Sequence, residues 1–186
     1  MFSERELRDL IISVFMIAFI FAYPHINLTY FLIALFTVGL GFIFHELMHR
    51  EVARKFGAIS EFRAWYEGLI LGLILKIILG ATFIAPGAVY IYKDYLTTEE
   101  SGKIALAGPI ANIILAAAFY ILMIIANNYL LYMIGFLGYH INLFLAGFNL
   151  LPIPPFDGEK VLRWNPLIWA IVGIPLLIYV FFSIFF

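Results

Sequence analysis

The sequence predicts an all-α polytopic membrane protein, with about five transmembrane helices, a re-entrant helix and a short β-hairpin. Three observations lead there. Of 186 residues, 65% are apolar and 12% charged, too little polar surface for a water-soluble domain of that length. Five runs, at 7–23, 28–48, 104–126, 129–151 and 166–186, approach or exceed the roughly 20 apolar residues that span a hydrocarbon core about 30 Å thick. The basic residues then fall almost entirely on one side of the membrane those runs would cross.

Taken in order, "MFSERELRDL" mixes both signs of charge, and the run after it lacks a small-residue cleavage pattern, which reads as an anchor and not a removed signal. Arg5 and Arg8 hold the N-terminus in the cytoplasm. The second run returns to that side, where Arg50, Arg54, Lys55 and Arg63 follow it. The next stretch, "GLILGLILKIILGATFIAPGAVYIY", is too short in its first half to cross comfortably and rich in Gly, Pro and β-branched residues in its second. A single crossing there would send Lys93, Lys103, Lys160 and Arg163 outward. With a re-entrant helix near 68–79 and a hairpin near 81–92 instead, every Lys and Arg except Lys76 is cytoplasmic. Irregular backbone at membrane depth needs protein or water around it, so this piece is expected to line a cavity. The whole chain, 1–186, reads as a single membrane-embedded domain of the plasma membrane, with the lipid bilayer as its constant partner.

Several classes drop out. A formal charge of −1 offers no footprint for nucleic acid. The absence of cysteine removes disulfides, thiolate zinc sites and a cysteine nucleophile together. No serine stands in a nucleophile motif, and no pair of membrane aspartates exists.

One stretch carries chemistry. "FHELMHRE" (44–51) closes the second run with two histidines and a glutamate, and ionisable groups in hydrocarbon cost about 2.5 to 3.5 kcal/mol each even on lenient scales. His45 and His49, at i and i+4, share one helix face and reach one ion; Glu46 reaches a water on it. That is the HExxH arrangement, in which Zn2+ lowers the pKa of water and the glutamate takes its proton. The bland alternative is a pair of structural histidines at a helix end. A third ligand is needed, and of twelve acidic residues the topology leaves ten in polar flanks or loops. Only Glu46 and Asp157 approach membrane depth. Asp157 follows "LPIPPF", whose three prolines break the fourth span and free the backbone to turn the carboxylate inward, on the same side as His45. Its competing reading is an Asp-Gly turn at the inner surface. His140, about 13 Å of helix before Asn149, is read as packing with a hydrogen bond to a neighbouring helix.

Together "HELMH", "AGPIAN" (107–112), "FNLLPIPPFDGEK" (148–160) and "APGAV" resemble the site-2 protease family of intramembrane zinc metalloproteases, over a core of about 28–163. The resemblance implies a three-helix core from the second, third and fourth spans. It implies His45, His49 and Asp157 as zinc ligands, Glu46 as general base, and Asn149 beside the site, steadying the oxyanion or the substrate backbone, with Asn112 lining the core. It implies cleavage of single-pass transmembrane substrates near the cytoplasmic side. "DGEK" stands where relatives commonly have "DGG", and neither a PDZ-like nor a regulatory domain is expected. Two other readings compete. A membrane zinc protease that trims proteins from the cytosolic face would need a downstream glutamate ligand. A non-catalytic zinc transporter or scaffold would not need Glu46.

Overall fold

The computed structural model describes residues 2–80 and 86–185. Helix α1 (Glu4–Ala22) starts at Ser3, whose side chain accepts from the Glu6 amide, and carries Glu4 and Glu6 in its first turn, where the helix dipole favours anions. Its inward face is polar for two turns, through Glu6, Asp9 and Ser13, and apolar beyond, through Val14, Ile17 and Ala18. Glu6 and Asp9 were expected in a solvated flank; they are 1% and 2% exposed. The reason is that the sheet described below packs against this end of the helix and hands it backbone amides.

A continuous rod from Leu28 to Lys55 follows, capped at its start by Asn27. It comprises α2 (Leu28–Ala34), a π-helical turn (Leu35–Gly39) and α3 (Leu40–Lys55). Thr37 lies in the π turn and donates its hydroxyl to the Ile33 carbonyl at 2.7 Å, taking up an oxygen beside the widened ladder. At 28 residues, about 42 Å, the rod is longer than a hydrocarbon core is thick.

Strand β1 (Ile59–Ala64) comes next, then α4 (Tyr66–Leu79), which ends on Gly80 in the left-handed region at φ 69°. Fourteen residues of helix reach about 21 Å, short of a crossing, in agreement with the helix expected near 68–79. Its Ile70, Ile74, Ile77 and Ile78 point outward. The hairpin expected near 81–92 is corrected. Strand β2 (Gly87–Tyr92) exists, but it pairs antiparallel with β1, from Ile59 opposite Tyr92 to Ala64 opposite Gly87, so α4 is the connection between the strands. Residues 81–85, where the other arm was expected, lie outside the described residues. The partner was hidden because "ISEFRA" reads as charged loop, although Ser60 and Phe62 turn inward while Ile59 stays out.

Helix α5 (Thr98–Ile125) opens with a capping box between Thr97 and Glu100 and contains Pro109. Helix α6 (Tyr129–Asn149) packs along it through small residues: a Cβ on Gly138 would run into the Phe119 ring. After the proline-rich turn come α7 (Asp157–Trp164) and α8 (Pro166–Phe185). One apolar core joins α1, the rod, β1 and α4 through Leu10, Val14, Val38, Phe42, Phe62 and Leu69. A second joins α5, the end of α6 and α7 through Ala105, Leu150 and Val161, with Ile168, Trp169 and Val172 of α8 packed against them. Among the described residues four helices are long and apolar enough to span a bilayer, those at Leu28–Lys55, Thr98–Ile125, Tyr129–Asn149 and Pro166–Ser183. The protein is an integral membrane protein. Helix α1, expected as a further span, is charged through its first turns.

Candidate metal centre

His45 and His49 sit one turn apart on α3, their ring centroids 4.6 Å apart, at 6% and 8% exposure. The far nitrogen of each ring is already committed. His45 Nδ1 lies 2.6 Å from Asn112 Oδ1 on α5, and His49 Nδ1 lies 2.7 Å from the Ile104 carbonyl on the same helix. The second acceptor can only take a proton. The first is no less fixed, because Asn112 spends its amide hydrogens on the Gly41 carbonyl (3.0 Å) and on Asn142 Oδ1 (2.9 Å). Asn142 in turn donates to the Gly138 carbonyl (2.8 Å). Starting from that backbone oxygen, each amide has one possible orientation, and the relay ends with His45 donating from Nδ1. Both imidazoles therefore carry their lone pairs on Nε2. Pro109 of the same helix lacks the N–H that would bond the Ala105 carbonyl, next to the acceptor of His49.

Those two nitrogens face one carboxylate. Asp157 Oδ2 lies 3.4 Å from His45 Nε2 and 3.1 Å from His49 Nε2. It gets there as the sequence suggested: α6 stops at Asn149, the prolines turn the chain, and Asp157 opens α7, at the end where a helix dipole favours a negative charge. Gly158 makes the turn possible, since a Cβ there would overlap the Leu150 carbonyl.

Three acceptors converging with no donor among them call for a cation. The donor atoms of His45, His49 and Asp157 lie within 4.8 Å of one another. A tetrahedron with zinc-like bonds of about 2.05 Å has edges of about 3.3 Å, and the two nitrogen–oxygen distances bracket that value. The space is kept clear by Gly108 of α5, where a Cβ would lie 2.6 Å from His45 Nε2 and closer still to His49 Nε2. The residues present fit zinc.

Glu46, 8% exposed, lines a cavity of about 180 Å3 with the two histidines and Asp157. Asn149 lines it too, its side-chain amide donating to the Leu145 carbonyl at 2.9 Å. Gly87, Ala88, Val89 and Ile91 of β2 form one wall and Lys160 of α7 another, whereas α4, expected to line the cavity together with this segment, is not among its described lining residues. His140 stays apart, hydrogen-bonded to Tyr179 of α8. Sequence reasoning missed Asn142. The available signal was an amide well inside an apolar span, which needs a buried partner.

Comparisons with known proteins agree with this chemistry. The chain is 70% identical over 185 residues to "Putative zinc metalloprotease MJ0611" of Methanocaldococcus jannaschii, covering 99% of this chain and 97% of that one. It is 29% identical over 145 residues to YwhC of Bacillus subtilis, 68% of this chain and 66% of the other, and 31% identical over 134 residues to Rip2 of Mycolicibacterium smegmatis, 64% and 51%. Both carry the same zinc metalloprotease designation. No family model and no solved structure matches. With a zinc-compatible centre held among membrane-spanning helices, and a relative named for zinc and proteolysis along nearly its whole length, the chain belongs to the site-2 protease family of zinc metalloproteases.

Proposed function

We propose that this zinc metalloprotease hydrolyses peptide bonds inside transmembrane helices of single-pass membrane proteins, near the cytoplasmic side. The observation that carries the reading is Glu46: an acid buried among apolar helices, in the same cavity as the three converging side chains, beside an edge of β2 that no described residue pairs with. His45, His49 and Asp157 hold the metal. Zinc bound there would supply a Lewis acid that acidifies water and polarises the scissile carbonyl. Glu46 takes the proton from the attacking water and returns it to the departing amine as the C–N bond breaks. Asn149 steadies the substrate backbone with its remaining amide hydrogen. The edge of β2 pairs with an unwound substrate segment by strand addition.

The lysine and arginine distribution puts the N-terminus in the cytoplasm, with α1 as a fifth span and α4 as a re-entrant helix. His45 then lies about 26 Å of helix into a rod that starts at Leu28, in the inner third of the hydrocarbon. The test is to incubate detergent-purified wild type and Glu46→Gln with a panel of single-span substrates, with and without a zinc chelator. Cleavage should require both Glu46 and zinc, and Glu46→Gln should keep its zinc. Undiminished cleavage by Glu46→Gln would overturn the mechanism, and zinc binding without any cleavage by wild type would favour a carrier or scaffold.

A further inference from the structure

We propose that Glu6 of α1 is a positioning residue for the substrate, one that sets where the edge of β2 left unpaired among the described residues stands relative to the metal helix. The inference rests on the reading that an extended substrate pairs with that edge.

The first link is a row on α1. Glu6, Asp9 and Ser13 stand at i, i+3 and i+7, on one face, all buried. Each takes a backbone group of the sheet region in turn. Glu6 Oε1 accepts from the Phe62 amide (3.1 Å), Asp9 Oδ2 from the Ala64 amide (3.3 Å), and Ser13 donates to the Pro86 carbonyl (3.3 Å). In an antiparallel pair, successive residues turn their N–H and C=O groups to opposite edges. Phe62 and Ala64 therefore use the outer edge of β1, while Arg63 and Glu61 face β2 opposite Ala88 and Tyr90. By the same alternation Gly87, Val89 and Ile91 turn their backbone groups away from β1. Those residues line the cavity, and Glu46 lines it with them. One edge of the sheet is gripped by α1, and the other is presented to the site.

The second link is Arg50, the residue after His49. It is 2% exposed and donates Nε to Glu6 Oε1 at 2.7 Å and a terminal nitrogen to Glu6 Oε2 at 3.3 Å. Its carbonyl accepts from Ser60 of β1 at 2.9 Å. A single carboxylate thus bonds the last turns of the metal helix and the outer edge of β1 at once. The spacing between Glu46 and the β2 edge is transmitted through that junction. It is the spacing that decides whether a paired backbone brings its carbonyl to the metal. The metal ligands themselves take their second hydrogen bonds from α5, away from Glu6.

The experiment compares full-length wild type, Glu6→Leu, Glu6→Gln and Asp9→Leu. Glu6→Leu should raise KM for a single-span substrate at least 10-fold while kcat stays within about 3-fold and zinc stays near one per chain. Glu6→Gln keeps an oxygen for the Phe62 amide and should recover most of the KM. Asp9→Leu probes the next amide in the row and should raise KM as well, which keeps the proposal testable if Glu6→Leu fails to fold. Hydrogen exchange supplies an arm independent of cleavage: amides at 59–64 and 87–92 should exchange faster in Glu6→Leu while those at 40–49 do not. Loss of zinc together with KM, or protection lost equally along α3, would make Glu6 mere support for the fold and sink the proposal. So would an unchanged KM. A wild type that cleaves nothing would instead refute the protease reading, and the exchange arm would still decide whether Glu6 places the sheet.

Discussion

The centre is oriented by groups that never touch the metal. Because Asn112 presents its oxygen to His45 and its nitrogen to Gly41 and Asn142, replacing it with leucine removes the acceptor that fixes the imidazole. Outer partners of this kind are worth about 10- to 100-fold in metal affinity. Asn112→Leu should therefore weaken zinc binding by about that factor, measured by competition with a chromophoric chelator. His140→Phe should leave affinity unchanged, since that ring is engaged with Tyr179. Gly108 offers a sharper case. Its missing side chain is the room in which both Nε2 atoms stand, so Gly108→Ala, otherwise favourable in a helix, should displace an imidazole and lower zinc affinity at least 10-fold. Retained affinity would mean that α5 can retreat from α3.

Among the elements, α7 matters most for its size, because eight residues carry the third donor. Its docking depends on Gly158 against the Leu150 carbonyl, and that oxygen cannot back away freely since Trp169 Nε1 holds it at 2.9 Å. Gly158→Ala should push Asp157 off the histidines, cutting zinc affinity at least 10-fold while circular dichroism records an unchanged helix content. The meeting of His45, His49, Glu46 and Asp157 in one cavity was legible in the sequence, because helical spacing and a proline break are local signals and ionisable groups stand out in apolar runs. The pairing of β1 with β2 was not legible. It joins segments separated by a whole helix, and the inward alternation of Ser60 and Phe62 is masked by Glu61 and Arg63. Asn142 and Glu6 escaped for a related reason: a polar residue reveals its role only through its partners, and Asn112 for the one, Arg50 and Phe62 for the other, lie 30 and more residues away.

At the scale of the whole molecule, the metal centre lies between two apolar cores, one built on α1, the rod and the sheet, the other on α5, α7 and α8. On the proposed function, a substrate would enter as a helix whose amides are already bonded within itself and shielded by its side chains, and its carbonyl would stay closed to attack until a stretch unwinds. The edge of β2 can take over those hydrogen bonds, but only after the helix has released them. Unwinding thus precedes the chemistry, and residues that weaken the helix should speed the overall reaction. Glycine in place of alanine costs a helix about 1 kcal/mol per residue, so two such changes near the cut site lower the opening cost by about 2 kcal/mol. With a factor of ten for each 1.36 kcal/mol, kcat/KM should rise about 30-fold where opening is a rapid pre-equilibrium. The measurement is a series of single-span substrates differing at two positions, Ala-Ala, Ala-Gly and Gly-Gly, assayed in one detergent or liposome against the same enzyme, with Leu-Leu as the slow reference. The order should survive when the pair is moved by one residue along the helix, because unwinding involves a turn and not a single bond. An enzyme that cleaves the most stable helix fastest would have to read its substrates by side chain alone, and the strand edge beside Glu46 would then have no part in capture.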